Sequence, residues 1–240
     1  MTVNRRTGSA VCQSSDLGIR PASAINHRVR KLLLVDEHPI LRQGFAHLIN
    51  LEPDLEVCGQ ADNAAAALDD IPVQKPDLVV LDIALKGING IELIKRIKVI
   101  APDLPVLVLS VQDEALFAER ALRAGARGYV MKQAPAEDVM AAIRQVLHGG
   151  RYLSRSMQER ILENLSDRAP RGPIPTVEHL SDRELEVFQL LGGGSGTRQI
   201  AEQLHLSIKT VETYRAHIKK KLKLRNATEL LRMAVQRIAE

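Results

Sequence analysis

The chain has 240 residues, 45% of them apolar but only 2% aromatic, so its cores must be built mainly from Leu, Ile, Val and Ala. That composition fits two ordinary domains and argues against disorder over most of the chain. The formal charge of +4 is unevenly spread: +3 over residues 1–29, −3 over 30–135, +1 over 136–176 and +3 over 177–240, as in an acidic module joined to a basic one.

The N-terminal stretch, residues 1–29, has arginines but no apolar h-region, and is expected to be a disordered extension rather than a secretory signal. From residue 30 short apolar runs alternate with helix-like stretches. KLLLVD (31–36) predicts a strand and ILRQGFAHLIN (40–50) an amphipathic helix; LEVCGQA (55–61) is a weaker strand, followed by the alanine-rich helix NAAAALDDI. DLVVLD (77–82) and GIELIKRIKVI (90–100) repeat the pair, as do VLVLSV (106–111) and EALFAERALRAG (114–125), which Gly125 stops. GYVMK (128–132) and AEDVMAAIRQVLHG complete it.

Five strands alternating with five helices predict a doubly wound parallel sheet wrapped on both faces, spanning residues 30–147. The strands are continuous apolar runs because both faces are to be buried. Residues 151–165 are readable as a further helix, and the proline-rich SDRAPRGPIPT (166–176) as flexible chain, so that 148–176 is a linker. After it the strand signal vanishes. SDRELEVFQLL, TRQIAEQL, SIKTVETYRAHIKKKLK and NATELLRMAVQRI predict a small all-α four-helix domain over 177–240. Ser181 and Glu184 make a capping box, and Thr197, Ser207 and Asn226 are expected N-caps.

No run of apolar residues is long enough to cross a bilayer, which predicts no membrane contact. Cys12 and Cys58 form no disulfide or metal pattern, as expected of unpaired thiols in the cytoplasm.

Ligands of open parallel sheets bind beyond the carboxyl ends of the strands. There the first strand ends in Asp36-Glu37, the third in Asp82, the fourth in Ser110 and the fifth in Lys132. Three carboxylates on one rim repel each other unless a cation joins them, and Mg2+ is the natural one. A carboxylate also attacks phosphoryl groups when the phosphate charge is neutralised. Taken singly, each residue has a plainer role: Lys132 as a solvated strand-end lysine, Ser110 as a helix cap, Tyr129 as a partly buried packing residue, Asp82 as a turn former. It is their combination that points to a site.

VDEHPILRQG, VVLDIALKGINGIEL, VLVLS and ARGYVMK resemble the receiver domain of bacterial two-component response regulators, a flavodoxin-like fold, over roughly residues 30–147. The resemblance implies that Asp82 is the phosphoacceptor, that Asp36 and Glu37 hold Mg2+ directly or through water, and that the backbone carbonyl of Ala84 completes the metal site. It also implies that Lys132 pairs with the phosphate, with Ser110 as switch hydroxyl and Tyr129 as switch aromatic. A sensor histidine kinase, docking near Ile40, Leu41 and Gln43, is the implied phosphoryl source. Two positions depart from the family pattern: Glu37 stands where many receivers have a second aspartate, and Lys86 where proline is common.

In TRQIAEQLHLSIKTVETYRAHIKKKL the second helix turns Val211, Ile218 and Leu222 inward. The opposite face collects Lys209, Glu212, Thr213, Ala216, Lys220 and Lys223, suited to base edges at its start and phosphates further along. The cationic run through Lys219, Lys220 and Lys223 reads otherwise as a solvated helix end. With LSDRELEVFQLL before it and NATEL after, the segment resembles the LuxR-type helix-turn-helix over 179–236. That resemblance places base contacts near Glu212, Thr213 and Ala216, with Lys209 and Thr210 at the helix start. Tyr214 stands where many relatives carry histidine, and GGGSGT is unusually glycine-rich before the second helix.

The combined resemblance is to the NarL/FixJ family of response regulators, which implies promoter DNA as partner and a homodimer as the active form. A regulator rather than an enzyme is expected; an aspartyl-phosphate phosphatase would need a D-x-D motif, and Asp82 is followed by Ile83 and Ala84. The nearer alternative is a DNA-binding regulator whose receiver is never phosphorylated and serves as a dimerisation or protein-interaction scaffold.

Overall fold

A computed structural model describes Met1 and residues 28–85, 88–166 and 177–239. The N-terminal stretch with Cys12, the loop position Lys86 and the proline-rich stretch 167–176 lie outside the described residues.

Five parallel strands form one sheet in the order β2-β1-β3-β4-β5, with β1 Arg30–Val35, β2 Leu55–Ala61, β3 Leu78–Leu81, β4 Val106–Ser110 and β5 Gly128–Met131. Between them run α1 Pro39–Asn50, α2 Ala64–Gln74, α3 Gly90–Ile100, α4 Glu114–Ala124 and, after β5, α5 Ala136–Leu147. Strand residues alternate between two cores. Leu32, Leu34, Val80, Leu107, Leu109 and Val130 pack with Ala46, Ile49, Val139 and Ile143 of α1 and α5. Leu33, Val35, Val79, Leu81, Val106 and Val108 pack with Ala67, Ile94, Phe117 and Ala121 of α2, α3 and α4. Every side chain of β3 is buried, so its LVVL run must be apolar on both faces. Burying each such side chain contributes about 1.5–3 kcal/mol.

Local chemistry sets the ends. The side chains of Asn63, Asn89 and Asp113 accept backbone N–H bonds at the starts of α2, α3 and α4. Gly125, at φ 112°, stops α4 in the left-handed conformation expected of a glycine there. The second helix is longer than expected, crossing Pro72 and ending where Lys75 adopts φ 50°.

The stretch after α5 departs from the expected helix over 151–165. Gly149 turns the chain with φ 84°, and Tyr152 pairs with Gly128 as a parallel bridge at the sheet edge. Tyr129 N–H donates to Tyr152 O at 3.0 Å and Tyr152 N–H to Arg127 O at 3.0 Å. Backbone groups left open on the edge strand β5 are thus satisfied, a gain that apolar periodicity does not register. Helix α6 begins only at Arg155 and runs Arg155–Ser166.

The C-terminal part holds a short 3-10 turn at Val177–His179, then α7 Asp182–Gly192, α8 Thr197–Gln203, α9 Ile208–Lys221 and α10 Ala227–Ala239. The Ser181–Glu184 capping box forms in both directions, and Ser207 and Asn226 cap α9 and α10. Thr197 does not cap. Gly196 takes that position, its N–H bonded to Gln199 Oε1 at 2.8 Å, while the Thr197 hydroxyl accepts from Arg215. Val211, Ile218 and Leu222 are buried, as the periodicity predicts.

Candidate functional site

Strand order places the ends of β1, β3, β4 and β5 side by side, so the residues after them meet. Asp36, Asp82, Ser110 and Lys132 form one buried cluster. Lys132 Nζ lies 2.5 Å from Asp36 Oδ2 and 2.7 Å from Asp82 Oδ2. Ser110 donates its hydroxyl to Asp82 Oδ1 at 2.5 Å, and the Ala84 N–H reaches the same oxygen at 3.2 Å. The Asp82 side chain has no exposed surface and that of Lys132 has 4%, so Lys132 is not a solvated lysine and Ser110 is not a helix cap. A buried lysine between two carboxylates is held by the charge it neutralises.

Tyr129 is fully buried rather than partly so; its hydroxyl donates to Gln112 O at 2.8 Å, and burial, with Asp82 nearby, pushes the phenol well above its usual pKa. Ser110 and Tyr129 both point inward in this structure, the one bonded to Asp82 and the other to Gln112 O.

Glu37 behaves differently from the other acids. Its longer arm leads away from Asp36 and Asp82, with Oε1 4.0 Å from His38 Nε2 and Oε2 3.8 Å from His205 Nε2. That Oε2 is buried without a hydrogen-bond partner. The residues whose donor atoms do converge, within 4.8 Å, are Asp36, His38 and Asp82. His38 Nδ1 is 3.1 Å from Asp36 Oδ1, and its backbone N–H donates to that oxygen at 2.8 Å. Sequence reasoning passed over His38, although it follows directly on Asp36-Glu37.

On the helical end, Lys209, Glu212, Thr213, Ala216, Lys220 and Lys223 are exposed on one face of α9 and just beyond it, whereas Thr210 and Lys219 are partly buried. The Thr210 hydroxyl is engaged with Ser207 Oγ at 2.7 Å. Lys221 is tied to Glu184 at 2.6 Å, so the lysine run divides between packing and open surface.

The two parts touch through polar groups. Arg120 of α4 donates to Leu180 O at 2.6 Å, Val177 O at 3.2 Å and Asp182 Oδ1 at 3.1 Å, and Lys95 lies 3.7 Å from Asp182. Asn89, at the end of the loop that starts from Asp82, donates to Glu186 of α7, which Arg183 holds from the other side at 2.5 Å. Burial raises the Glu186 carboxyl to about 7 despite Arg183. Neither Arg120 nor Glu186 carries a sequence signal for this contact, since both lie on ordinary amphipathic helices.

Residues 32–144 match the response regulator receiver domain, and residues 178–234 match the luxR family of bacterial regulatory proteins. The oxygen regulatory protein NreC of Staphylococcus carnosus is 31% identical over 86% of this chain and 97% of its own. The chain is a LuxR-type response regulator. Among solved structures, a LuxR-family two-component response regulator from Aurantimonas sp. is 32% identical, with a TM-score of 0.55 over 58% of this chain and 99% of that one. RcsB from Salmonella enterica serovar Typhimurium, bound to promoter rprA with a beryllofluoride phosphomimetic, is 26% identical. Its TM-score is 0.57 over 85% of this regulator and 96% of RcsB. The regulator is therefore a phosphorylation-switched DNA-binding transcription regulator with a five-stranded receiver and a helical C-terminal domain. No helix among its described residues is long and apolar enough to cross a membrane.

Proposed function

We propose that Asp82 is the phosphoacceptor, in a receiver spanning residues 30–147 that a linker (148–176) joins to a DNA-binding domain (177–240). The observation that carries this is the double grip on Asp82: Lys132 holds one carboxylate oxygen and Ser110 the other. A sensor histidine kinase, docking where Ile40 and Leu41 are exposed on α1, presents a phosphoryl group. One Asp82 oxygen forms the new P–O bond as the donor's bond to phosphorus breaks and the leaving group departs with its electron pair. Lys132 then pairs with the phosphoryl charge, and the Ser110 hydroxyl, turning from Asp82, donates to a phosphoryl oxygen.

Asp36, Asp82, the Ala84 carbonyl and Glu37 would hold Mg2+; carboxylate oxygens of Asp36 and Asp82 converge beside His38, and Glu37 Oε2 is buried without a hydrogen bond, which fits that hard ion. When bound, it neutralises charge on the incoming phosphoryl group. Glu37 reaches it by swinging back from His205, or through water.

Phosphorylation favours separation of the domains, which frees residues 177–240 to dimerise and bind promoter DNA in the cytoplasm. The receiver contacts fall on the 3-10 turn, α7 and His205, while Lys209, Glu212, Thr213, Ala216, Lys220 and Lys223 stay exposed. Control therefore acts by holding the domain in place rather than by covering its base-reading face. Exposed Leu231 and Val235 on α10 offer an apolar stripe for pairing. Intact mass after incubation with Mg2+ and acetyl phosphate, beside Asp82→Asn, tests the assignment. One added phosphoryl group, absent in the variant, is expected; an adduct that survives Asp82→Asn would move the acceptor elsewhere.

A further inference from the structure

We propose that the helix-turn-helix domain is a lid on the phosphoacceptor pocket, slowing phosphorylation of Asp82 until the domains part. The inference rests on Asp82 being the acceptor, and it runs opposite to the usual direction of control, from the DNA-binding domain back to the receiver.

The domain is anchored at two points on the pocket rim. Glu37 lies just past the end of β1, and its Oε2 faces His205 Nε2 at 3.8 Å. Asn89 closes the loop that leaves Asp82 at the end of β3, and its side chain donates to Glu186. Since β1 and β3 are neighbours in the sheet, the two anchors flank the carboxylate that must be reached. Arg120 and Lys95, gripping Asp182, fix the domain beyond the second anchor.

Both anchors are stiff. His205 sits in the turn between α8 and α9 with φ 52°, and the Leu206 N–H bonds back to Ala201 O at 2.8 Å. Asn89 uses its Oδ1 to cap α3, accepting from Ile91 N–H at 2.6 Å, while its amide nitrogen holds Glu186. Behind it, a Cβ on Gly90 would lie 2.6 Å from Asp82 O, so the residue next to the anchor packs tightly on the acceptor's backbone. Within this arrangement the Asp82 side chain is 0% exposed and that of Asp36 9%. A phosphodonor must reach the Asp82 oxygen past the rim on which the two anchors sit.

The test is the initial rate of phosphoryl adduct formation on the full chain, read by intact mass with acetyl phosphate and Mg2+ at low salt. In each turnover an Asp82 oxygen bonds to phosphorus and acetate leaves with the electrons of the broken P–O bond. The chains compared are wild type, the double variant His205→Ala with Asp182→Ala, Arg120→Met as an independent break from the receiver side, and Arg155→Ala as a remote control. Both lid-breaking chains are expected to react at least about fivefold faster than wild type, the lower range of interdomain coupling, and the control at the wild-type rate. Raising salt should speed wild type toward the double variant, because the Arg120 and Lys95 contacts to Asp182 are ionic and partly exposed. Equal rates in wild type and both lid-breaking chains overturn the lid while leaving Asp82 as acceptor. No adduct on any chain overturns the acceptor assignment and the lid with it.

Discussion

Replacing Lys132 by methionine removes the cation that lies between two buried carboxylates while keeping the length of the side chain. The ammonium lies 2.5 Å from Asp36 and 2.7 Å from Asp82, and the three side chains are 4%, 9% and 0% exposed. Breaking a buried pair by deleting one partner costs about 3–5 kcal/mol, because a charge is left buried without compensation. Against a usual domain stability of about 5–15 kcal/mol that is a large fraction. With a urea slope of about 2 kcal/mol per molar, the receiver's midpoint should fall by about 2 M. Circular dichroism follows the unfolding, and the receiver's transition is identified as the one that Mg2+ displaces. A cation drawn to the same carboxylates should restore much of the loss: an ion at one hundred times its Kd stabilises by about 2.7 kcal/mol. Adding Asp36→Asn to Lys132→Met should cost less than the two single changes summed, since the neighbours share one interaction. A Lys132→Met midpoint within 0.3 M of wild type, taken as roughly a tenth of the expected stability, would refute the view that the lysine compensates buried charge.

Glu186 supplies a pH dependence of definite sign. Its folded carboxyl is raised to about 7 by burial, with Arg183 and Asn89 opposing and Asp182 adding to the rise, so the folded state binds a proton more tightly than the unfolded one. Stability must then fall as pH rises from the ordinary carboxyl range through about 7, by about 3 kcal/mol in all; urea midpoints at pH 5.5 and 8 should differ in wild type and converge in Glu186→Gln. In Gly90→Ala the new Cβ would meet Asp82 O and Ile83 Cα at 2.6 Å each, and overpacking of that kind costs about 1–3 kcal/mol. Thermal melts should show the loss, together with slower phosphorylation; an unchanged phosphorylation rate would mean that Asp82 does not depend on this contact. For the basic end, Lys220→Ala should weaken binding to a mixed-sequence duplex and reduce the slope of log K against log salt by about 0.9; an unaltered slope would remove Lys220 from the phosphate contacts.

The receiver was legible because its elements announce themselves locally. The run LVVL between Asp77 and Asp82 admits only a strand buried on both faces, and Asp36, Asp82, Ser110 and Lys132 fall at strand ends whatever the strand order. What stayed hidden depends on partners distant in sequence. The Tyr152 bridge exists because β5 is an edge, and no periodicity in RYLS expresses that. Thr197 has the chemistry of a cap, but Gly196 occupies the capping backbone conformation and Arg215 takes the hydroxyl. Glu37 stood out as a departure from the family pattern, but not where its extra methylene carries the carboxylate: it turns toward His205, a residue 168 positions away that sequence alone cannot bring near.

That extra methylene links the two halves of the molecule. An aspartate at position 37 would have too short an arm to face both His38 and His205, and the pocket would then meet the DNA-binding domain only through the Asn89 anchor. On the proposed metal assignment, glutamate lets one carboxylate serve either the metal donor set or the helix-turn-helix turn. Because these uses compete for the same oxygens, ion binding and domain docking must oppose each other to whatever extent Glu37 takes part in both. On that assignment, the departure from the double aspartate gives the acidic pocket a direct means of registering whether its own output domain is docked.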